Sequence, residues 1–181
     1  PGWFYRASED NKVKSGKELV DLYYQSVGRN SLLLLNIPPD KRGLFAEPDV
    51  KSLIEFRRIL NETFCCNLAV GANRSLLDKR LETFVTIKKG RSLTIDFKKN
   101  ISFDRVLLQE NIAKGQRNLE AVLEYWDGSS WKDIDLISSI GYKRLLRISE
   151  ISTSKIRFTV KQAKAPVQLA EIGFFKASSA E

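Results

Sequence analysis

Two hydrophobic patterns follow one another along the chain, with the change near residue 64. In the first part, Leu19, Val20, Leu22, Tyr23 and Val27 recur at helical spacing behind Ser15-Gly16-Lys17-Glu18. Serine at the N-cap with glutamate three residues on is a capping box, so a helix is expected to start there and to stop at Gly28. Glu47-Pro48-Asp49 predicts a second helix, with proline in the first turn and acids at the positive end of the dipole. Val50, Leu53, Ile54, Phe56 and Leu60 supply its buried face as far as about Phe64. Between the helices, Leu32 to Leu35 and Ile37 form an apolar run broken only by Asn36. A run this apolar has no wet face, so residues 31–37 predict a strand covered on both sides, as parallel sheets require. Pro38 and Pro39 end it, having no N–H to give a ladder. Residues 1–14, polar apart from Trp3-Phe4-Tyr5, read as loop.

From Asn67 the period changes from helical to two. Ser92 to Phe97 and Lys155 to Val160 alternate apolar and polar, as half-buried strands do. Further strands are expected at 103–110, 117–126, 130–137, 142–148 and 167–175, and Asp127-Gly128 marks a hairpin between Trp126 and Trp131. Short strands separated by turn residues predict an antiparallel sandwich or jelly roll.

Composition narrows the function. At 181 residues the chain holds one large domain, or a domain plus a piece of another. A net charge of +8 would suit nucleic acid, but the basic residues are scattered and no nucleic-acid motif accompanies them, so no nucleic-acid partner is expected. No apolar stretch reaches the roughly 20 residues of a membrane span. Histidine is absent, which removes histidine metal sites and every Ser-His or Cys-His nucleophile. Cys65 and Cys66 are adjacent and build no long-loop disulfide framework; they read as small hydrophobes at a domain seam.

The run GRNSLLLLNIPPDKRG, with GWFYRASEDNKVKS before it and QENIAKGQR and IGYKRLLRI after it, resembles the α-L-fucosidases of glycoside hydrolase family 29. The likeness spans nearly the whole chain, and the chain matches the rear part of such an enzyme. Its implied fold is an α/β remnant, the last elements of a (β/α)8 barrel at 1–64, followed by an all-β antiparallel jelly-roll sandwich at 67–178. The opening NLAVGANRSLLDKRLETF, the hairpin YWDGSSW and the closing APVQLAEIGFF resemble a discoidin-like domain of the coagulation factor V/VIII type C kind, a candidate carbohydrate-binding module. A single covered strand has no parallel neighbour in residues 1–64, so the chain is expected to continue upstream, its partner being the preceding part of the same catalytic domain.

The resemblance implies retaining hydrolysis of terminal α-L-fucose from fucosylated glycans, with no cofactor required, in a periplasmic or extracellular setting. It also implies a role for Trp3, whose flat ring would bury the sugar's apolar face on one wall of the fucose pocket. Asn36, at the end of the covered strand, is a candidate substrate contact whose other expected task is tying loops together. Asp40 reads as turn chemistry. Retaining glycosidases use two carboxylates about 5–5.5 Å apart; in the family they come from earlier strands, no acid here matches those motifs, and this chain alone is expected to be inactive. Discoidin-like domains also imply a structural calcium, with Asp78, Thr83 and Glu171 as the matching oxygens. Lys79 and Arg80 stand where that pattern has glycine and asparagine, which favours a metal-free loop. Tyr125, Trp126 and Trp131 are expected in the core rather than on a glycan platform. Two other readings remain open: a non-catalytic carbohydrate-binding module, and a structural sandwich that braces the barrel.

Overall fold

The capping box forms as its residues dictate. In the computed structural model, which describes residues 2–69 and 73–181, helix α1 runs Gly16–Gln25. The Glu18 N–H donates to the Ser15 hydroxyl, and the Ser15 N–H donates back to the Glu18 carboxylate at 2.8 Å. Beyond it the Gly28 N–H reaches the Tyr23 carbonyl at 2.9 Å. A Cβ at Gly28 would lie 2.6 Å from the Tyr24 carbonyl oxygen, a backbone atom that cannot swing aside, so the turn requires glycine. Helix α2, Glu47–Phe64, has Pro48 in its first turn. It packs on α1 through Tyr23 and Phe56, whose rings meet edge-on at 6.0 Å.

The strand expected at 31–37 does not form. The segment is extended but carries no ladder; at its ends only Arg29 pairs, with Arg144, and Pro39, with Phe45. Leu32 is 92% exposed and Leu34 93%. A strand apolar on both faces needs neighbours to cover it, and every ladder among the described residues is antiparallel and lies after residue 84. The expected loop at 1–14 is also more ordered than the sequence suggests, with a 3-10 turn at Ala7–Lys12.

Six strands follow: β1 Val85–Ile87, β2 Ser92–Glu110, β3 Asn118–Trp126, β4 Trp131–Ile137, β5 Arg144–Ala163 and β6 Val167–Phe175. Their order is β1-β6-β2-β5-β3-β4. The strands expected at 92–97 and 103–110 are the two ends of β2, joined through a register shift between Asp96 and Ile101 where Lys98 takes φ 62°. Those expected at 142–148 and 155–160 lie within β5 in the same way. Such irregularities bend a strand, and here they let β2 and β5 change partners. Residues 105–108 of β2 lie between β5 and β6, whereas 156–159 of β5 lie between the start of β2 and β3.

The sheet therefore folds over itself into a sandwich. Phe97, from the first part of β2, meets Phe174 of β6 edge-on at 5.5 Å, and Phe103 meets the same ring at 4.8 Å. Leu108, Leu123, Ile156, Phe158 and Leu169 fill the rest of this core, each contributing about 1.5–3 kcal/mol by burial.

Period-two alternation also explains how the helices attach. Val106 and Leu108 point into the sandwich, so Leu107 between them points outward, joining Leu145 under Val20, Tyr24 and Ile59 of the helices. Polar contacts fasten the same seam. The Arg147 guanidinium lies 4.0 Å over the Tyr24 ring and bonds Asp21 at 2.5 Å and Glu181 at 3.0 Å. Arg105 reaches Glu181 at 2.9 Å, and the Thr63 hydroxyl donates to the other Glu181 oxygen at 3.2 Å. Burial at this seam pushes the Tyr24 hydroxyl up to about 12.

Candidate functional site

A cavity of about 460 Å³ lies beside the helices, walled by the Trp3 loop, the extended segment 33–38 and the start of α2. Its walls are mainly apolar because Leu19 and Leu22 of α1 and Leu53 of α2 turn toward it, together with the leucines of the extended segment. Trp3 stands at its lip, 72% exposed, and Phe4 beside it is 76% exposed.

Asn36 joins the two walls. Its amide Nδ2 donates to the Trp3 carbonyl at 2.8 Å, 33 residues away in sequence. The amide is thereby used to hold the loop that carries the indole, the second of the two tasks the sequence suggested for it. The acids beside it also brace that loop. The Gly2 N–H donates to Glu9 at 2.7 Å, holding this carboxyl below its usual range, and Tyr5 donates to Asp10 at 3.3 Å. Asp49, which the sequence marks only as a helix-start acid, lines the cavity. Burial, and then the charge of Asp10, push its carboxyl up. Asp40 accepts from the Arg42 backbone and guanidinium at 2.6–2.9 Å, the turn role expected of it. The cavity thus offers an aromatic lip, apolar walls and a few carboxylates: surfaces that stack on C–H groups and accept bonds from hydroxyls.

Asp78 and Thr83 lie in a second loop, and Glu171 of β6 faces its backbone. Thr83 donates its hydroxyl to the Asp78 carboxylate at 2.7–2.8 Å, and the Arg80 N–H adds a bond at 3.0 Å. The Lys79 N–H donates to Glu171 at 3.0 Å, with Lys79 at φ 60°, a conformation that favours glycine. Glu171 is only 7% exposed, and burial pushes its carboxyl up from 4.5. These oxygens already serve the protein's own donors. Among the described residues, no group of three or more acidic, cysteine or histidine side chains is placed to share a metal.

At the β3–β4 hairpin, Trp126 and Trp131 pair edge-on at 5.5 Å, and Arg157 lies 4.4 Å over the Trp131 ring. Arg157 is held there by Glu124 through its Nε at 2.7 Å. Tyr125 packs against the sandwich core, as expected, whereas the two tryptophans lie outside it and are half-buried. One face of Trp131 is therefore covered by a cation and is closed to a sugar.

Residues 1–62 match the family model described as α-L-fucosidase. Over 97% of its length the chain is 32% identical to α-L-fucosidase 1 of Arabidopsis thaliana. The chain matches the C-terminal portion of the family 29 α-L-fucosidases. A crystal structure of a family 29 fucosidase from Ruminococcus gnavus in complex with fucose superposes with a TM-score of 0.86, at 31% identity over 99% of this chain and 40% of that one. The chain spans only 38% of the length of its Arabidopsis relative. A chitosan-binding module from Paenibacillus sp. IK-5 shares the fold alone, at 11% identity and a TM-score of 0.51 over 60% of this chain. The Trp3 cavity falls inside residues 1–62, which the family model matches, and the Asp78 loop falls outside them.

No helix of the described residues is long and apolar enough to cross a membrane.

Proposed function

We propose that this chain is the C-terminal part of a retaining α-L-fucosidase that releases terminal α-linked L-fucose from glycans. Residues 1–64 complete a (β/α)8 barrel, and residues 67–178 form a discoidin-like jelly roll that supports it. The observation that carries this reading is the pairing of exposed Leu32 and Leu34 with the Trp3 cavity on one segment. Such side chains are costly to leave in water, about 25 cal/mol per Å². An upstream barrel strand along 31–37 would cover them, and would close the cavity beside Trp3 into a fucose pocket. Trp3 would then stack on the sugar, with Asn36 fixing the loop that bears it.

The catalytic carboxylates would come from the preceding part of the same domain, so this segment alone is inactive. The reaction needs no cofactor. The Asp78–Thr83–Glu171 loop works without calcium, its acceptors satisfied by Thr83, Arg80 and Lys79. Fucosylated glycans outside the cytoplasm, in the periplasm or beyond the cell, are the substrate class.

A second reading is favoured by one observation, the likeness of fold to a chitosan-binding module: the sandwich binds glycan without catalysis. Proton NMR of an aryl α-L-fucoside incubated with the longer gene product tests the first reading. Retention predicts α-L-fucose as the first anomer released; β-fucose first, or no release, would overturn it. Glycan binding by the chain with no turnover would favour the second.

A further inference from the structure

The junction between the helices and the sandwich carries two free, exposed thiols, Cys65 and Cys66, with sulfurs 3.0 Å apart. The sequence suggests buried hydrophobes at a seam, but neither is buried. The backbone on both sides is clamped. Phe64 packs edge-on against Phe175 at 5.1 Å, and the Thr63 hydroxyl accepts the Ser178 N–H at 3.0 Å. On the other side, Asn67 donates to the Ile172 carbonyl at 3.0 Å and accepts the Phe174 N–H at 3.1 Å. The sulfurs are therefore presented together on the surface by a fixed frame.

We propose that Cys65 and Cys66 form a reversible vicinal disulfide, a redox modification site at this junction, with a low-molecular-weight disulfide as oxidant. Closing the bond requires the sulfurs to approach by about 1 Å, to the usual 2.05 Å. The Cys65 S–H faces both the Glu62 carbonyl at 3.4 Å and the Cys66 sulfur, and Cys66, once deprotonated, is the attacking sulfur. It attacks one sulfur of the oxidant, forming a mixed disulfide and expelling one thiolate. The Cys65 sulfur then attacks Cys66 and expels the second. Two cysteines are oxidised, the oxidant's S–S bond is reduced, and the two S–H protons pass to the departing thiolates. The second step outruns a further external thiol because its nucleophile is already in contact. Adjacent Cα atoms lie only about 3.8 Å apart, closer than in relaxed disulfides, so the small ring is strained and readily reduced.

Intact-mass spectrometry of the purified full chain, incubated with oxidised glutathione and then alkylated, tests this. The expected species has lost two hydrogens, takes up no alkyl group, and regains both thiols with dithiothreitol. C65S should instead stop at one glutathione adduct on Cys66. Two alkylatable thiols in the wild type, stable glutathione adducts on it, disulfide-linked dimers, or an unmodified C65S would each overturn the proposal.

Discussion

The Asn36 amide donates to the Trp3 carbonyl at 2.8 Å, so a side chain from the extended segment fixes the loop that carries the most exposed indole of the cavity. N36A removes this donor and one net hydrogen bond, about 0.5–1.5 kcal/mol of local order. Amide hydrogen exchange over residues 2–6 should rise in N36A while exchange in β2 and β5 stays unchanged.

The seam between helices and sandwich depends on Arg147, which touches Tyr24, Asp21 and Glu181 together. R147A loses the ion pairs to Asp21 and Glu181 and a cation–π contact, and leaves Glu181 with Arg105 and Thr63. A loss of about 1–3 kcal/mol is expected, which is roughly 2–10 °C in Tm for a chain of this size. Thermal unfolding followed by circular dichroism measures it; an unchanged Tm would show that the apolar cluster around Leu145 holds the seam unaided.

Phe174 joins the two layers through Phe97 and Phe103. F174A empties the centre of the sandwich and should cost about 3–5 kcal/mol, read from urea unfolding.

Two carboxylates give opposite pH responses. Asp127 accepts the Ser129 and Ser130 N–H groups at 2.7 Å, and these bonds, that of Ser130 foremost, hold its carboxyl well below the ordinary 3.8. A depressed acid stabilises the fold above its unfolded value, and that contribution fades as pH falls through the folded value. D127N should therefore lower Tm at pH 7, with the gap to wild type closing as pH drops below 3.8. Glu171 is the reverse: burial raises its carboxyl above 4.5, so its charged form opposes folding as pH rises through the raised value. E171Q keeps an acceptor for the Lys79 N–H and should raise Tm at pH 7 in the absence of added metal. Added calcium should leave the wild-type Tm unchanged; a rise lost in E171Q would place a cation in that loop.

What was legible in the sequence was what local chemistry decides. The Ser15–Glu18 capping box and Pro48 place the helix starts because their bonds close within a turn. Alternation placed the strands at Ser92–Phe97 and Lys155–Val160 because burial on one face repeats every second residue. At 31–37 the same logic gave a strand that does not form: apolar composition specifies that a segment be covered, and no ladder among the described residues covers it. Val85–Ile87 is too short to show any period. Trp3 was singled out from the family likeness and Asn36 from its place at the end of the expected strand, yet their bond spans 33 residues, and the Thr63–Glu181 bond spans 118. No local pattern records contacts at such separations.

The central expectation is that this chain completes a fucose pocket whose catalytic acids come from the preceding part of the domain. Hydrolysis of an aryl α-L-fucoside, measured side by side for the longer gene product, its W3A variant and the 181-residue chain, addresses that directly. The expected result is turnover by the longer product, a sharp loss of kcat/KM in W3A, and none from the chain alone. Turnover by the 181-residue chain, or a W3A enzyme as active as wild type, would contradict it.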